Sequence, residues 1–268
     1  SDSLSVPVNV AELAKSNWFP KAFLPFVSDR LGWRLPAKNI FKGELVQLEI
    51  ISNNAVAGWR RPIYFAATLP NDQYLGLKES MQLEGYAYRL MPFKISGAKD
   101  GFVNTKIMAD NMLNKMYWRG LNDPSIYYHG DFYMGIPSVT LRLGTYRLAD
   151  QLIREGNIPL AKKILDHLNF VMPDKVIPYD QFSASMVGLY LSIGEDNKAL
   201  EIANTMVKRN AKSLDYYLAA GVRSNERNIQ IAAYEMNIIV SSLKESKMAP
   251  AKYKELEGIF NFQMSKMQ

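Results

Sequence analysis

Cysteine is absent from this chain of 268 residues, and histidine occurs only at His129 and His167. The first absence excludes disulfides, thiolate metal sites and cysteine nucleophiles. The second leaves too few imidazoles for a histidine-built zinc site, so neither metal nor cofactor is expected. Charge of one sign never clusters. The net charge is +6, yet residues 1–140 hold 15 basic and 12 acidic side chains and the remainder 17 and 14. Nucleic-acid footprints concentrate lysine and arginine, so a nucleic-acid partner is not expected. No stretch reaches the ~18 apolar residues of a membrane-spanning helix; the low-charge segment 123–141 is interrupted by Asp131 and by glycine and proline. The opening Ser1-Asp2-Ser3-Leu4-Ser5 has no basic region ahead of an apolar core, unlike a signal peptide. The chain is therefore cytosolic, or a fragment whose targeting information lies elsewhere. Phosphate-binding glycine loops, Gly-x-Ser-x-Gly and His-Glu-x-x-His are also missing.

What is present is an ordinary globular balance, 48% hydrophobic and 22% charged, in two textures. Residues 1–140 are rich in aromatics, proline and glycine and read as an α+β domain. Residues 141–268 carry long helical periodicity, and the boundary is expected near Gly135-Ile136-Pro137. In the first part, residues 9–15 predict a short helix, and 62–68 a strand led by Pro62. Residues 84–93 predict a strand with Tyr86, Tyr88 and Leu90 on one side. Residues 45–51 are ambiguous: Val46, Leu48 and Ile50 alternate as in a strand, whereas Leu45, Leu48 and Ile51 share a helical face. A helix over 104–118 is predicted, with an Asn104 or Thr105 cap, Met108, Met112 and Met116 on one face, and Gly120 as its stop.

The second part repeats itself. Tyr146, Ala149, Leu152 and Ile153 form one helical face, Gly156-Asn157 breaks the chain, and Ala161, Ile164, Leu165 and Leu168 form the next face before Pro173. Met186, Leu189, Tyr190 and Ile193 then precede Gly194, and Ala199, Ile202, Ala203 and Met206 follow it. Both glycines have alanine five positions on, where a small residue lets the second helix approach the first. This predicts tetratricopeptide-like hairpins, whose unit is ~34 residues. A third pair is predicted from Ile231, Tyr234, Ile238 and Leu243 on one helix and Tyr253, Leu256, Ile259, Phe260 and Met264 on the next. The fold class expected is thus α+β followed by all-α helical repeats, predominantly α.

Chemistry-bearing groups are few. Asp123, His129 and Asp131 could make a general base or a metal site, but they read as a polar loop. Arg60-Arg61 beside Trp59 could grip an anion or form local ion pairs. Aromatics crowd 86–133, and sugars stack on such rings as readily as cores use them. Trp118, Tyr127, Tyr128 and Tyr133 are the candidate ligand contacts; no catalytic residue is assigned. Met81, Met108, Met112 and Met116 read as adaptable core filler, and His167 as a surface or rim residue.

One ordered set of segments goes further: Arg61-Pro62-Ile63-Tyr64-Phe65-Ala66, Tyr74-Leu75-Gly76-Leu77, and Leu83-Glu84-Gly85-Tyr86-Ala87-Tyr88-Arg89-Leu90. Val103-Asn104-Thr105, Met108-Ala109-Asp110-Asn111 and Asn122-Asp123-Pro124 follow. From about Leu45 to the C-terminus this order resembles the C-terminal region of a bacterial family of large polytopic membrane proteins, formerly of unknown function. That family is now grouped with protein O-mannosyltransferase-like glycosyltransferases. Asn53-Asn54-Ala55-Val56-Ala57-Gly58-Trp59 stretches the family's pattern ahead of "RPIYFA". The resemblance implies a periplasmic, non-catalytic accessory region beside the membrane helices of a parent protein at the inner membrane. Its catalytic carboxylates would lie in the membrane half, and its partners would include an acceptor polypeptide or glycan. Two other readings stand beside it: a free-standing periplasmic peptide-binding module, and a soluble carbohydrate-active enzyme.

Overall fold

The computed structural model describes residues 3–36, 39–128, 136–248 and 250–267. The chain is predominantly α, with a small α/β part preceding a helical part. It divides into two compact units, Ser1–Lys115 and Met116–Gln268, earlier than the boundary expected near residue 140. Residues 116–128 follow the last helical turn of the first unit as irregular chain, and Trp118 packs its ring on His167 of the second unit's helices.

In the first unit, β1 (Ser3–Pro7) pairs antiparallel with β2 (Arg30–Arg34), from Ser3 opposite Arg34 to Pro7 opposite Arg30. Val6, Leu31 and Trp33 are buried while their neighbours face out, the two-residue period of a half-covered sheet. Helix α1 (Val10–Lys15) starts as expected, with Asn9 Oδ1 accepting from Glu12 N at 3.1 Å. Residues 42–56 resolve the ambiguity as helix α2 (Lys42–Val56), whose Glu44 Oε2 accepts from Phe41 N at 2.9 Å. The helix ends where Gly58 and Trp59 take left-handed φ values of 81° and 55°. Trp59 is a bulky residue in that region, and it is held there by burial and two hydrogen bonds: its Nε1 donates to Pro7 O at 3.0 Å, and its carbonyl accepts from Trp18 Nε1 at 2.9 Å.

The second sheet comprises β3 (Tyr64–Ala66), β4 (Met81–Leu83), β5 (Ala87–Leu90) and β6 (Phe102–Val103), in the order β3-β5-β4-β6. The β3–β5 and β4–β5 pairs are antiparallel and β4–β6 is parallel. Strands β3 and β5 fall inside the predicted segments, and Tyr88 and Leu90 share the buried side. Gly76 sits at φ 78° so close to the Arg34 carbonyl that a Cβ would strike it. Helix α3 (Thr105–Asp110) is capped by Asn104 Oδ1, which accepts from Ile107 N at 3.1 Å. It continues as a π-helical turn, Asn111–Lys115, and stops short of the expected Gly120. Met81, Met108 and Met112 are core residues, as expected of them.

The α-helices of the second unit are, among its described residues, α4 (Ile136–Arg154), α5 (Ile158–Val171), α6 (Gln181–Ser192), α7 (Asp196–Ala220), α8 (Val222–Glu245) and α9 (Lys254–Ser265). Gly156 and Gly194, at φ 77° and 80°, turn α4 into α5 and α6 into α7 as predicted. Ala161 and Ala199 are fully buried beside Ile164, Leu165, Leu168, Ile202, Ala203 and Met206. Pro173, 17 residues after Gly156, follows the end of α5, whereas Ala211, 17 residues after Gly194, lies inside α7, which runs on to Ala220. The third pair exists, but the face predicted for α8 is corrected. Ile231 and Tyr234 are exposed, and the core takes Ile229, Ala232, Met236, Ile239, Val240 and Leu243.

Candidate functional site

In the first unit, the segments that carry the resemblance converge on one polar network, buried at Gln82 and Glu84 and open at Tyr64, which is 47% exposed. Strand pairing sets Tyr64 opposite Arg89 and Arg89 opposite Gln82. Arg89 Nη2 meets Glu84 Oε2 at 2.8 Å, its Nε donates to Tyr64 Oη at 2.9 Å, and its Nη1 donates to Trp18 O at 2.9 Å. Tyr64 Oη in turn donates to Glu84 Oε2 at 3.3 Å, and the Gln82 amide donates to Glu84 Oε1. Asn104 Nδ2 reaches Gln82 Oε1 at 3.3 Å, and Asn111 Nδ2 reaches the Glu84 carbonyl at 2.8 Å. Burial first, and then the Glu84 charge, hold the Tyr64 hydroxyl above the ordinary phenol range. A carboxylate with both oxygens so occupied and a guanidinium making three contacts form a lock between β3, β4, β5 and α3, with little capacity left for a substrate.

Arg60 and Arg61 are exposed, and Arg61 is fixed by its backbone: Asn54 Nδ2 donates to Arg61 O at 2.8 Å, and Arg61 N donates to Asn54 Oδ1 at 3.3 Å. The expected "RPIYFA" loop is thus pinned to the end of α2.

In the second unit, the aromatic candidates separate. Tyr127 is 82% exposed, Tyr128 is half-buried, and Tyr133 lies outside the described residues, as do His129 and Asp131. Trp118 is half-buried, and its ring meets the edge of His167 at 5.6 Å between centroids. Burial, and then Lys163, push the His167 imidazole below its ordinary value, and its Nε2 is buried without a partner. Asp123 Oδ1 accepts from Ser125 N at 2.9 Å and from Ser125 Oγ at 2.7 Å, a local turn that keeps the carboxyl acidic. Among the described residues, no three acidic or histidine side chains gather as metal ligands.

Two arginines clamp the α5–α6 link. Arg142, 1% exposed, donates to Ile177 O at 2.6 Å and Pro178 O at 2.7 Å. It also stands 3.3 Å from Asp180 Oδ2, an ion pair without hydrogen-bond alignment. Arg209 holds Asp174 at 2.6 Å and the Tyr179 carbonyl at 2.8 Å.

Beside Arg209, an open groove of about 500 Å³ runs along α7, lined by Thr205, Lys208, Arg209, Lys212, Tyr216 and Tyr217 with Ser213. Their spacing follows one helical stripe. Tyr216 is 68% exposed and stands edge-on to Tyr217 at 5.6 Å between ring centroids. Lys208 pairs with Glu255 at 2.9 Å, whereas the exposed Lys212 has no ion-pair partner among the described residues. Cations beside flat rings and hydroxyls can hold an extended carboxylate-bearing chain. The contact surface expected from the sequence draws on the stretch 117–133 and the neighbouring helical part without naming these residues, although Lys208, Lys212 and Tyr216 recur every four residues.

Residues 1–107 match the family described as TMEM260-associated domain 2. TMEM260 is a protein O-mannosyltransferase-like membrane protein. The match includes Tyr64, Gln82, Glu84, Arg89 and Asn104 of the polar network, begins ahead of the expected Leu45, and stops before the second unit. Neither the curated proteins nor the solved structures give a match. Among the described residues no helix is long and apolar enough to cross a membrane.

Proposed function

We propose that this chain is a non-catalytic, extracytoplasmic accessory region of a membrane-bound glycosyltransferase-like protein. The first unit would be carried by the membrane helices of that parent protein, on the periplasmic side of the inner membrane. The second unit, with its tetratricopeptide-like glycine–alanine hairpins, would dock an acceptor polypeptide or glycan. The observation that carries the reading is the similarity of residues 1–107 to a TMEM260-associated domain. The polar network supports it as well: the polar residues of the resemblance spend their hydrogen bonds on one another. For the docking surface, the α7 groove with Lys212 and Tyr216 joins Trp118, Tyr127, Tyr128 and Tyr133 as the contacts to test, and its cations favour an acceptor rich in carboxylates. The same groove favours a second reading, a free-standing periplasmic peptide-binding module.

Incubated with lipid-linked sugars and acceptor peptides, the isolated chain should transfer nothing. Sugar transfer that disappears in Asp123→Asn would overturn the non-catalytic reading. Titration with an acidic acceptor peptide, followed by tyrosine fluorescence, should saturate and should be lost in Lys212→Glu. A gene with no hydrophobic helices upstream of Ser1 would decide for the free-standing module.

A further inference from the structure

Helix α2 is covered on one side only. Glu44, Ile51 and Ala55 are buried, while Leu45, Val46 and Ile50 on the other side are 54%, 53% and 52% exposed. Phe41, at the helix start, is 70% exposed. Single exposed leucines are ordinary, but four large apolar groups on the uncovered half of one helix are not. Two charges share that face: Lys42 and Glu49 are exposed, and neither has an ion-pair partner among the described residues. Positions 42, 45, 46 and 49 follow the i, i+3, i+4, i+7 rule and make one continuous stripe. At its edge, Gly43 has open space where a Cβ would stand, so another backbone can approach.

The order of residues along the stripe selects the occupant. Across a two-fold axis a helix meets itself antiparallel, and residue i faces j while j faces i. With the axis between Leu45 and Val46, the Leu45 and Val46 side chains of both copies pack about the axis and Lys42 faces Glu49, while Phe41 and Ile50, half a turn apart around the helix, flank the contact on opposite sides. Each pair is apolar on apolar or cation on carboxylate, and each occurs twice. A lipid surface fits less well, because Glu49 would be pressed into the apolar layer. We infer that the chain self-associates as a symmetric dimer through the outer face of α2, built on these two pairs. This inference stands apart from the function proposed above.

Sedimentation of the full chain over a range of concentrations tests it. A reversible monomer–dimer equilibrium is expected. Val46→Asp sets two carboxylates at the axis and should leave only monomer, with an unchanged circular-dichroism melt because the position is exposed. Lys42→Glu and Glu49→Lys each oppose like charges twice and should each weaken the dimer roughly tenfold or more. The double reversal Lys42→Glu/Glu49→Lys rebuilds both pairs and should restore association. A wild-type chain that stays monomeric at the highest concentration overturns the inference, and so does a dimer indifferent to Val46→Asp. Should Val46→Asp fail to fold, the charge series decides alone: a double reversal no tighter than the single ones overturns the inference.

Discussion

Glu84 in the first unit and Glu235 in the second are both buried, and the two are treated differently. Glu84, in the first unit, meets the Arg89 guanidinium at 2.8 Å and has the Tyr64 hydroxyl and the Gln82 amide on its oxygens. Glu235, in the second, has a neutral partner, the Asn210 amide at 2.8 Å, and burial pushes its carboxyl above the ordinary range. The first arrangement draws on three strands and the loop around Trp18, each contact being used once. The second sits between two adjacent helices, α7 and α8, whose apolar faces hold them together whatever the glutamate does. The first unit therefore adds a cross-strand polar lock to its apolar core, whereas the polar pair of Glu235 lies within a helix contact that is apolar on both sides of it.

The largest effect should come from breaking the first arrangement. Arg89→Met leaves the Glu84 carboxylate buried without its cation, at a cost of about 3–5 kcal/mol. Trp18, Trp33 and Trp59 lie in the first unit, and Trp118→Phe in the second leaves them as the only tryptophans. Denaturant unfolding followed by tryptophan emission should therefore move to lower denaturant while the helical circular-dichroism signal of the second unit holds. Adding Glu84→Gln to Arg89→Met should recover part of the loss, because the orphaned charge is gone. An unchanged emission midpoint in Arg89→Met would mean that the network is decoration.

A smaller effect is expected from overfilling a hairpin. Ala161 is fully buried where α5 passes its neighbours. Ala161→Leu adds volume with nowhere to go and should cost roughly 1–3 kcal/mol, read as a lower melting midpoint in far-ultraviolet circular dichroism with the emission of the first unit's tryptophans unmoved when both proteins also carry Trp118→Phe. If both signals shift together, the two units unfold as one and the contrast between them dissolves.

The same contrast governs what could be read without coordinates. Helical pairs announce themselves by period: Gly156, Ala161 and Pro173 mark a turn, a close approach and a stop, and each does that in the fold. Where α8 was misread, spacing misled. Ile231, Tyr234 and Ile238 make an apolar run at helical spacing, but the face that fits the core lies beside it and carries Ile229, Ala232, Met236 and Ile239 with Glu235 among them. In the first unit, β4 buries all three of its residues and so shows no alternation, and β1 and β2 are too short to signal their pairing. Tyr64, Glu84, Arg89 and Asn104 were visible as motif residues. Their meeting depends on the strand order β3-β5-β4-β6, which no local pattern encodes. The α7 groove depends likewise on where the neighbouring helices leave α7 uncovered.

The smallest effect separates the two buried glutamates by pH. Burial, the leading cause, raises the folded-state carboxyl of Glu235 above its ordinary value, against a weaker opposing pull from Asn210 and Arg209. The folded state thus holds this proton more tightly than the unfolded chain does. The stability it contributes is present below the ordinary glutamate value and is lost as pH rises through the higher folded value. Above that window the buried side chain is an anion with only an amide beside it. Glu235→Gln keeps an acceptor for Asn210 Nδ2 without the charge, so the variant should gain on the wild type as pH rises through the window and match it more closely below. Melting midpoints of both proteins across that range, followed by circular dichroism, measure the difference. A gap that stays constant with pH, or widens toward acid, would show that Arg209 and Arg142 compensate the Glu235 charge, and that the second unit guards its carboxylate with cations just as the first does.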